Sequence, residues 1–433
     1  MNSQIRGCLK KESLKISGHL CFSLRHLCSN TIFCQIFPRI RILAKIFSMK
    51  KSVRRVFRIS IWSIVSIIVL VLAYFITVIA IATSKDFQPP MSDTLNIVEG
   101  RNSFLFEDEQ VSIISWNIGY CGLGQEMDFF YEGGKNMGPD KEMYQQYINQ
   151  VFAMVSKMDS VDFVLLQEVD FDAKRTYYDH QDSVLMSALP MFSYVTAANY
   201  KVPYIPFPIF NPMGRVHSGM MTFSRFIPDY AARVQYPGSY EWPMKVFFLD
   251  RCFIIMKFDL ENGKEFIMVN THNSAYSDAA DIRVTEIQFL KSFLLDWTQR
   301  GNYVIVGGDW NANPPGFDST KVSSGDLVYA VGQSVDTDFM PEGWQWVYDP
   351  TMPTNRDVSA PYFKGQSKTT LIDYYLCSPN IEVHNVKTIN AGFAVSDHNH
   401  VYHNVTFLPD TPCCDSVAVY EFMKEEMKKK KSK

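Results

Sequence analysis

The sequence predicts a layered α/β domain of roughly 320 residues that is preceded by one membrane-spanning helix. One observation is an uncharged, apolar run over residues 59–84. Another is that short β-rich apolar runs alternate with segments of helical periodicity through the rest of the chain. The third is composition. Of 433 residues, 47% are apolar and 20% are charged, which excludes a disordered chain, a collagen and a disulfide miniprotein.

The apolar run has the length of a transmembrane helix. No charged residue occurs from Ile59 to Ser84, and a helix of that length spans about 39 Å, against a hydrocarbon core of about 30 Å. A buried core helix would show a polar face, which this run lacks. Lysines and arginines cluster just before it, so the positive-inside rule predicts a single-pass protein with a cytoplasmic N-terminus and an extracytoplasmic main domain. Cleavage after Ala82 is the alternative, but the run is longer than a signal-peptide core, which favours an uncleaved anchor.

The net charge of −3 is the sum of a basic N-terminal segment, an acidic body over residues 59–420 and a small basic C-terminal tail. Residues 1–58 carry +12, residues 59–420 carry −18 and residues 421–433 carry +3. Met49 followed by two lysines resembles a natural start, so residues 1–48 are interpreted as a mis-assigned extension or a disordered tail. The predicted boundaries are 1–58 for a basic cytoplasmic tail, 59–84 for the transmembrane helix, 85–102 for a linker, 103–410 for the main domain and 411–433 for a Lys-rich tail.

The main domain alternates predicted strands and helices. Two amphipathic helices are predicted at Tyr144–Met158, with Asp140 as a cap, and at Asp281–Thr298, where Arg283 and Glu286 suggest an exposed ion pair. Apolar runs predict strands at Val111–Asn117, Phe163–Gln167, Gly219–Phe223, Val246–Phe258, Glu265–Asn270, Tyr303–Val306, Leu371–Leu376 and Val401–Phe407.

Two stretches of the main domain lack periodicity. Residues 199–212 mix prolines with aromatic residues, and residues 313–368 are rich in Gly, Pro, Ser and Asp. Both are interpreted as long loops, which are more often functional than accidental, with disorder as the alternative.

Polar residues stand at or near the ends of almost every predicted core strand. They are Asn117, Glu168, His272, Asp309, Asn311, Asp373, Asp397 and His398. A carboxylate at such a position costs free energy to desolvate unless it is paired or binds a cation. Carboxylate and amide oxygens suit a hard ion such as Mg²⁺, and histidines suit proton transfer and charge stabilisation at a phosphoryl group.

With these motifs the chain resembles the endonuclease/exonuclease/phosphatase superfamily, which has the deoxyribonuclease I-like fold. The superfamily includes pancreatic-type deoxyribonucleases, apurinic endonucleases, inositol polyphosphate 5-phosphatases and neutral sphingomyelinases. The resemblance covers Val111 to Phe407 and rests on six motifs in the family's order. It implies a four-layer α/β sandwich with two central mixed β-sheets packed face to face, and catalytic groups at one edge where the sheets meet.

The resemblance also implies roles for five catalytic positions. Asp309 and Asn311 resemble the pair that orients the attacking water and holds the phosphate. His272 resembles the histidine that donates to a non-bridging phosphate oxygen. His398 resembles the residue that transfers the proton, and Asp373 would accept from its other ring nitrogen.

A metal site follows from the same resemblance. Glu168 looks like the principal ligand, Asn117 like a neighbour that supports the metal or binds it, and Asp397 like a carboxylate that binds the metal or lies directly behind it. The implied ion is Mg²⁺, with Mn²⁺ as an alternative.

Two further residues are weaker substrate-binding candidates. His217 precedes a predicted strand, where an ordinary polar residue is the alternative, and Arg356 lies in the long loop before Asp373. The cysteines are scattered without a CxxC motif, so neither a zinc site nor a disulfide framework is predicted.

The predicted function is a membrane-anchored, Mg²⁺-dependent hydrolase of phosphodiesters or phosphomonoesters, with a lipid headgroup or a small phosphoester as substrate. An extracytoplasmic nuclease for DNA or RNA is one alternative, which the body charge of −18 disfavours because duplex DNA is itself highly negative. A non-catalytic binding module of the same fold is the other, which the intact polar set disfavours. The expected partners are the phosphoester and a bilayer around residues 59–84, and the sequence indicates no protein partner.

Overall fold

The computed structural model describes residues 51–408 apart from 102–104, 106–109, 276–279, 319–327 and 330–331. The predicted extension 1–48 and the Lys-rich tail 411–433 lie outside the described residues. The chain divides into two compact units, Met1–Thr77 and Val78–Lys433.

A single long helix, α1 (Lys51–Ser84), accounts for the described part of the first unit. It begins eight residues before the predicted span. Of the helices in the described residues, it alone is long and apolar enough to cross a membrane. Its last turns belong to the second unit, where Val78 and Ala82 are buried.

The second unit is built around two large β-sheets. The seven-stranded sheet, here sheet A, has the order β1-β6-β7-β8-β9-β14-β11, and the six-stranded sheet B has the order β15-β16-β2-β3-β5-β4. A small third sheet has the order β10-β13-β12. The strands are β1 Ser92–Thr94, β2 Gln110–Asn117, β3 Phe163–Asp170, β4 Ser193–Ile205, β5 Gly214–Ser224, β6 Tyr230–Gln235, β7 Cys252–Asp259, β8 Glu265–His272, β9 Tyr303–Asp309, β10 Val328–Tyr329, β11 Gln345–Val347, β12 Asn355–Arg356, β13 Lys368–Thr370, β14 Asp373–Cys377, β15 Ile381–Thr388 and β16 Val401–Phe407.

The two large sheets pack face to face, as the alternation of side chains along each strand requires. In β2, Val111 and Ile113 face the core between the sheets, whereas Ile114 and Trp116 face the opposite side. Both sheets are mixed, because β2 and β3 are parallel, as are β8 and β9, while their other neighbours are antiparallel.

Helices cover the two outer faces. α2 (Lys141–Ser156) and α3 (Gln181–Ala188) pack on sheet B, and α4 (Ala280–Gln299) packs on sheet A. α2 begins three residues before the predicted start, and its predicted cap is confirmed, because the Asp140 side chain accepts a hydrogen bond from the Met143 backbone N–H at 2.9 Å. The predicted four-layer sandwich is confirmed.

Several element boundaries differ from the prediction. The segment expected as an irregular loop from 199 begins inside β4, an edge strand where prolines are tolerated because one side needs no ladder partner. The single strand expected over 246–258 is a 3₁₀ turn followed by β7, which starts only at Cys252. The predicted linker contains β1, which pairs with β6. Cys121, Cys252 and Cys377 are buried free thiols.

Candidate active site

Strand ends from both sheets meet at one edge of the sandwich. In sheet B, the parallel strands β2 and β3 bring Asn117 and Glu168 to this edge. In sheet A, the parallel strands β8 and β9 end at His272 and Asp309. Strand β14 runs the other way and begins there, with Asp373 directly opposite Asp309. The predicted polar positions therefore converge.

A buried pair of amides ties the sheets together just beneath this edge. Gln167 of sheet B donates to Asn270 Oδ1 of sheet A at 2.8 Å. Asn270 in turn donates to the Met221 carbonyl and the Thr222 hydroxyl, both at 3.1 Å. Because buried polar groups cost free energy unless they are paired, these bonds fix the separation of the sheets at the site.

Asn117 bridges carboxylates of the two sheets. Its Nδ2 donates to Asp309 Oδ2 at 3.0 Å and to Glu168 Oε1 at 3.3 Å. Its Oδ1 accepts from the Gly119 backbone N–H at 3.0 Å, which fixes the orientation of the amide.

Glu168 lies on a β-bulge. The pairing of β3 with β5 shifts register between Leu166 and Val169, and Glu168 has a φ of 56°, in the left-handed region. Such a conformation is uncommon for a residue other than glycine and is concentrated at functional sites. The Glu168 side chain keeps 28% of its surface exposed, whereas that of Asp309 keeps 2%, so Glu168 offers the more open carboxylate.

Asp373 and His398 form a buried pair. His398 Nδ1 lies 2.8 Å from Asp373 Oδ2. The Trp116 indole N–H donates to the His398 carbonyl at 3.0 Å, and the His398 backbone N–H donates to the Ser396 hydroxyl at 3.0 Å. Residue 398 is thus held from three sides, with its Nε2 at 3.8 Å from Asp309 Oδ2.

His272 lies between two carboxylates of the site. Its Nε2 is 3.5 Å from Asp309 Oδ2 and 3.8 Å from Glu168 Oε1. Burial, assisted by the positive charge of Arg251, lowers the pKa of His272 well below its ordinary value. His272 is therefore a neutral imidazole, able to donate a single N–H.

Burial and charge act differently on the other ionisable groups. Burial alone would lower the pKa of His398, but Asp373 and Asp397 overcome it and hold that pKa well above its ordinary value. Burial and the neighbouring Asp373 raise the pKa of Asp309 to about 7. Burial raises the pKa of Asp397 to about 6, against the opposing effect of His398.

Asn311 follows β9 in the left-handed region, with a φ of 51°. Its backbone N–H donates to Asp309 Oδ1 at 2.9 Å, and its side-chain amide donates to the Asn273 carbonyl at 2.8 Å. Asn311 therefore lies beside Asp309, with its amide fixed by the segment that follows β8.

Asp397 completes the cluster from the loop before β16. Its Oδ2 lies 3.9 Å from His398 Nε2. Gly119 leaves room for it, because a Cβ at that position would lie 2.7 Å from Asp397 Oδ1 and the backbone there has a φ of +50°.

The donor set fits a hard divalent cation. Asp309 and Asp397 have pKa values raised by burial, and a cation would relieve the cost of their ionised forms. Ligand atoms of Asp309, Asp373 and His398 lie within 4.8 Å of one another, although Asp373 and His398 already pair directly. The partly exposed Glu168 adds a further oxygen donor, and oxygen donors are those that Mg²⁺ prefers.

Two neighbours of the site were not identified from the sequence. Asn355 Nδ2 lies 2.9 Å from His398 Nε2, whereas the residue predicted from the sequence to bind substrate is the next one, Arg356. Arg251 is buried, and its NH1 has no partner among the described residues. Arg251 could have been identified from its position directly before β7, at the edge of sheet A where the site lies.

The two weaker candidates do not present their side chains as expected. Arg356 is 1% exposed, and its guanidinium donates to five backbone carbonyls, those of Leu123, Gly124, Met127, Asp357 and Ala360. This placement differs from the expected substrate-facing cation, because the carbonyls compensate the charge inside the protein. His217 packs edge-on against Phe171 at 5.3 Å, and the charges that act on it are those of Lys201 and nearby aspartates rather than those of the site.

The expected surface ion pair on α4 is wrong. Arg283 and Glu286 are both buried. Glu286 accepts from the backbone N–H and hydroxyl of Ser274, at 2.8 and 2.6 Å, while Arg283 donates to the Ser274 carbonyl at 2.6 Å. Both side chains therefore fix the segment that follows His272.

Several solved structures are similar to the chain at low sequence identity. An endonuclease/exonuclease/phosphatase from Beutenbergia cavernae is 14% identical, with a TM-score of 0.44, covering 69% of this chain and 72% of that one. The human Nocturnin catalytic domain with bound sulfate is 18% identical, with a TM-score of 0.40, covering 72% and 97%. Truncated TDP2 from Caenorhabditis elegans is 14% identical, with a TM-score of 0.42, covering 69% and 97%.

No curated protein sequence shows significant similarity to the chain. The family model described as "Endonuclease/Exonuclease/phosphatase family" matches residues 114–398, a range that begins in β2 and ends at His398. It therefore contains every one of the eight convergent polar residues. The chain belongs to the endonuclease/exonuclease/phosphatase family.

Proposed function

We propose that the protein is a membrane-anchored, metal-dependent phosphoesterase. The observation that carries the proposal is the convergence of Glu168, Asp309 and Asp397 with the His398–Asp373 pair, which lies at 2.8 Å, at one edge of the sandwich. A buried cluster of carboxylates and histidines is expensive for stability, so a binding or catalytic role explains it better than packing does.

The proton chemistry falls to His398 and Asp309. Asp373 accepts from Nδ1 of His398, so Nε2, which lies 2.9 Å from Asn355 Nδ2, is the atom proposed to exchange a proton with water or the leaving group. Asp309 Oδ2, at 3.8 Å from that Nε2, can orient the attacking water. Its carboxylate is in turn fixed by Asn117 and by the Asn311 backbone N–H.

Charge stabilisation at the phosphoryl group falls to His272. As a neutral imidazole between Glu168 and Asp309, it can donate its N–H to a non-bridging oxygen without repelling a bound cation. Glu168 and Asp397 are the residues proposed to hold Mg²⁺, with Mn²⁺ as an alternative. Asn117, whose Nδ2 donates to Glu168 and to Asp309, would support the metal site by orienting those carboxylates. When bound, the ion supplies positive charge that stabilises the negative charge developing on phosphate.

The substrate is proposed to be membrane-borne or small rather than duplex DNA. A body charge of −18 gives little non-specific attraction to a polyanion. The proposed anchor, α1, would also keep the site near a bilayer, on the extracytoplasmic side according to the flanking charges.

A panel of substrates tests the function. The purified full-length chain would be offered bis(p-nitrophenyl) phosphate, p-nitrophenyl phosphate, vesicles of phosphodiester lipids, and plasmid DNA, each with Mg²⁺, Mn²⁺ or EDTA. The proposal expects metal-dependent turnover of an aryl ester or release of a lipid headgroup. Rapid Mg²⁺-dependent nicking of plasmid without headgroup release would instead establish the nuclease, and no turnover of any substrate would favour the non-catalytic module.

A further inference from the structure

Two loops at the site end of the sandwich carry exposed apolar side chains. We propose that these loops form a bilayer-docking surface, here called the apolar rim, which consists of Phe207, Ile209, Phe210, Trp242 and Met244. The inference goes beyond the proposed chemistry and rests only on the proposed insertion of α1 in a bilayer. It names the lipid surface itself as the partner of this end of the protein.

The rim is unusual because several of its large apolar side chains are exposed. The side chain of Phe210 is fully exposed, that of Ile209 is 63% exposed and that of Trp242 is 58% exposed. Single exposed apolar residues are normal on soluble domains, but a group of large ones on two adjoining loops marks an interaction surface.

The topology places both loops at the end of the sandwich that carries the active site. β4 runs parallel to β3 through β5, so the β4–β5 connection, residues 206–213, lies at the end where β3 presents Glu168. β6 runs parallel to β8 through β7, so the β6–β7 connection, residues 236–251, lies at the end where β8 presents His272.

Hydrogen bonds attach the β6–β7 connection to β4, the strand that leads into the β4–β5 connection. The Tyr200 hydroxyl of β4 donates to the Phe247 carbonyl at 3.1 Å, and the Asp250 backbone N–H donates to the Asn199 carbonyl at 2.8 Å. The rim is therefore held by the edge of sheet B rather than by two independent loops.

The chain from α1 enters the second unit at this same end. Thr83 Oγ1 accepts from the Trp242 indole N–H at 3.1 Å, so the last turn of α1 touches a rim residue. Further along, the Met91 carbonyl accepts from the Gln235 backbone N–H at 2.8 Å, where β1 begins beside the end of β6.

This arrangement selects lipid over other occupants. The uncharged residues 59–77 are sufficient to span about 29 Å of a hydrocarbon core of about 30 Å. The turns from Val78 to Ser84, in which Val78 and Ala82 are buried, then lie at the membrane surface, and Trp242 lies where tryptophan is enriched in membrane proteins. Insertion of the apolar rim would turn the end of the sandwich that carries the active site towards the headgroups, which is the orientation a phosphoester carried by a lipid requires.

The test places a fluorescent probe on the rim and a matched one at the opposite end. Phe210→Cys and Glu261→Cys would each be labelled with NBD in the full-length chain, which is then reconstituted in phosphatidylcholine vesicles with or without doxyl-labelled lipid. Glu261 is exposed in the β7–β8 turn, at the end of sheet A away from the site. Label on the unsubstituted chain gives the background from native cysteines.

Docking predicts a blue-shifted probe at position 210 that doxyl lipid quenches strongly, because a docked side chain reaches about 5–10 Å into the headgroup and acyl boundary. The probe at position 261 should remain unquenched. Equal quenching at the two positions would overturn the proposal. A blue shift at position 210 without lipid quenching would also overturn it, because the occupant would then be protein, such as a second copy of the chain.

The readout needs no turnover, so it can fail or succeed independently of the proposed hydrolase activity. Where turnover is present, Ile209→Ser combined with Phe210→Ser should raise the KM for vesicle-borne substrate while leaving kcat/KM for bis(p-nitrophenyl) phosphate unchanged. An equal loss on both substrates would contradict a docking role.

Discussion

Replacing Asp373 by asparagine keeps the shape of the side chain that pairs with His398 and removes its charge. In the native protein Asp373 Oδ2 lies 2.8 Å from His398 Nδ1, and both side chains are almost fully buried. The amide must present either its oxygen or its NH₂ group to Nδ1. The second orientation selects the wrong tautomer, and neither orientation stabilises a protonated imidazole as a carboxylate does.

The expected loss in kcat is about 10²–10³-fold, the usual contribution of positioned acid–base catalysis, or about 2.7–4.1 kcal/mol. A stability cost accompanies it. Asp373 Oδ1 has no hydrogen-bond partner among the described residues, so an amide turned with its oxygen towards His398 leaves its NH₂ group without an acceptor there. A buried donor of this kind costs about 1–3 kcal/mol of unfolding free energy.

The assay is steady-state hydrolysis of bis(p-nitrophenyl) phosphate across pH, with urea unfolding as the control for stability. Because Asp373 is the largest influence raising the pKa of His398, the inflection that His398 contributes to kcat/KM should move to lower pH in the variant. A loss confined to KM, or an inflection that stays in place, would refute the role assigned to the pair.

Three further outcomes are expected. Arg356→Met should lower the unfolding free energy measured in urea by at least about 3 kcal/mol, because it leaves five buried carbonyls without their charged donor. A change below about 1 kcal/mol would contradict this structural role of Arg356. Asp140→Ala should cost about 0.5–2 kcal/mol in the same assay without changing kcat, through loss of the α2 cap. In EDTA, stability should fall as pH rises from about 4 to about 7, because folded Asp309 and Asp397, with pKa values of about 7 and about 6, retain protons that the unfolded chain has released. Mg²⁺ should reduce that fall, and a flat profile in EDTA would argue against the buried carboxylate cluster.

Periodicity was sufficient to predict much of the fold. The runs at β2, β8, β9 and β16 are apolar and β-rich because they lie in the middle of a sheet, and they were identified within a few residues of their bounds. β4 was missed entirely, and its second half was interpreted as a loop, because it is an edge strand that contains proline. β1 was read as linker, since a three-residue strand carries no periodic signal.

The sequence predicted the residues that form the site better than it predicted the side chains around them. Residues at strand ends, such as Glu168 and Asp309, converge because parallel strands present their ends at one edge of a sheet. The roles of Asn355 and Arg356 could not be separated from sequence, since which side chain turns inward depends on the pairing of β12 with residue 398. The burial of Arg283 and Glu286 on α4 likewise depends on tertiary partners in the segment after β8.

The most direct test of the account is the turnover of Glu168→Gln at saturating Mg²⁺, measured beside Glu261→Gln as a matched control. Glu168 is the open carboxylate of the site, whereas Glu261 is exposed in a distant turn. The account predicts a fall in kcat of at least about 10²-fold for Glu168→Gln, since the lost charge is that which holds the cation, with an unchanged melting transition. The control should retain the native kcat. A Glu168→Gln variant that keeps most of its activity, or native activity that survives EDTA, would contradict the central claim.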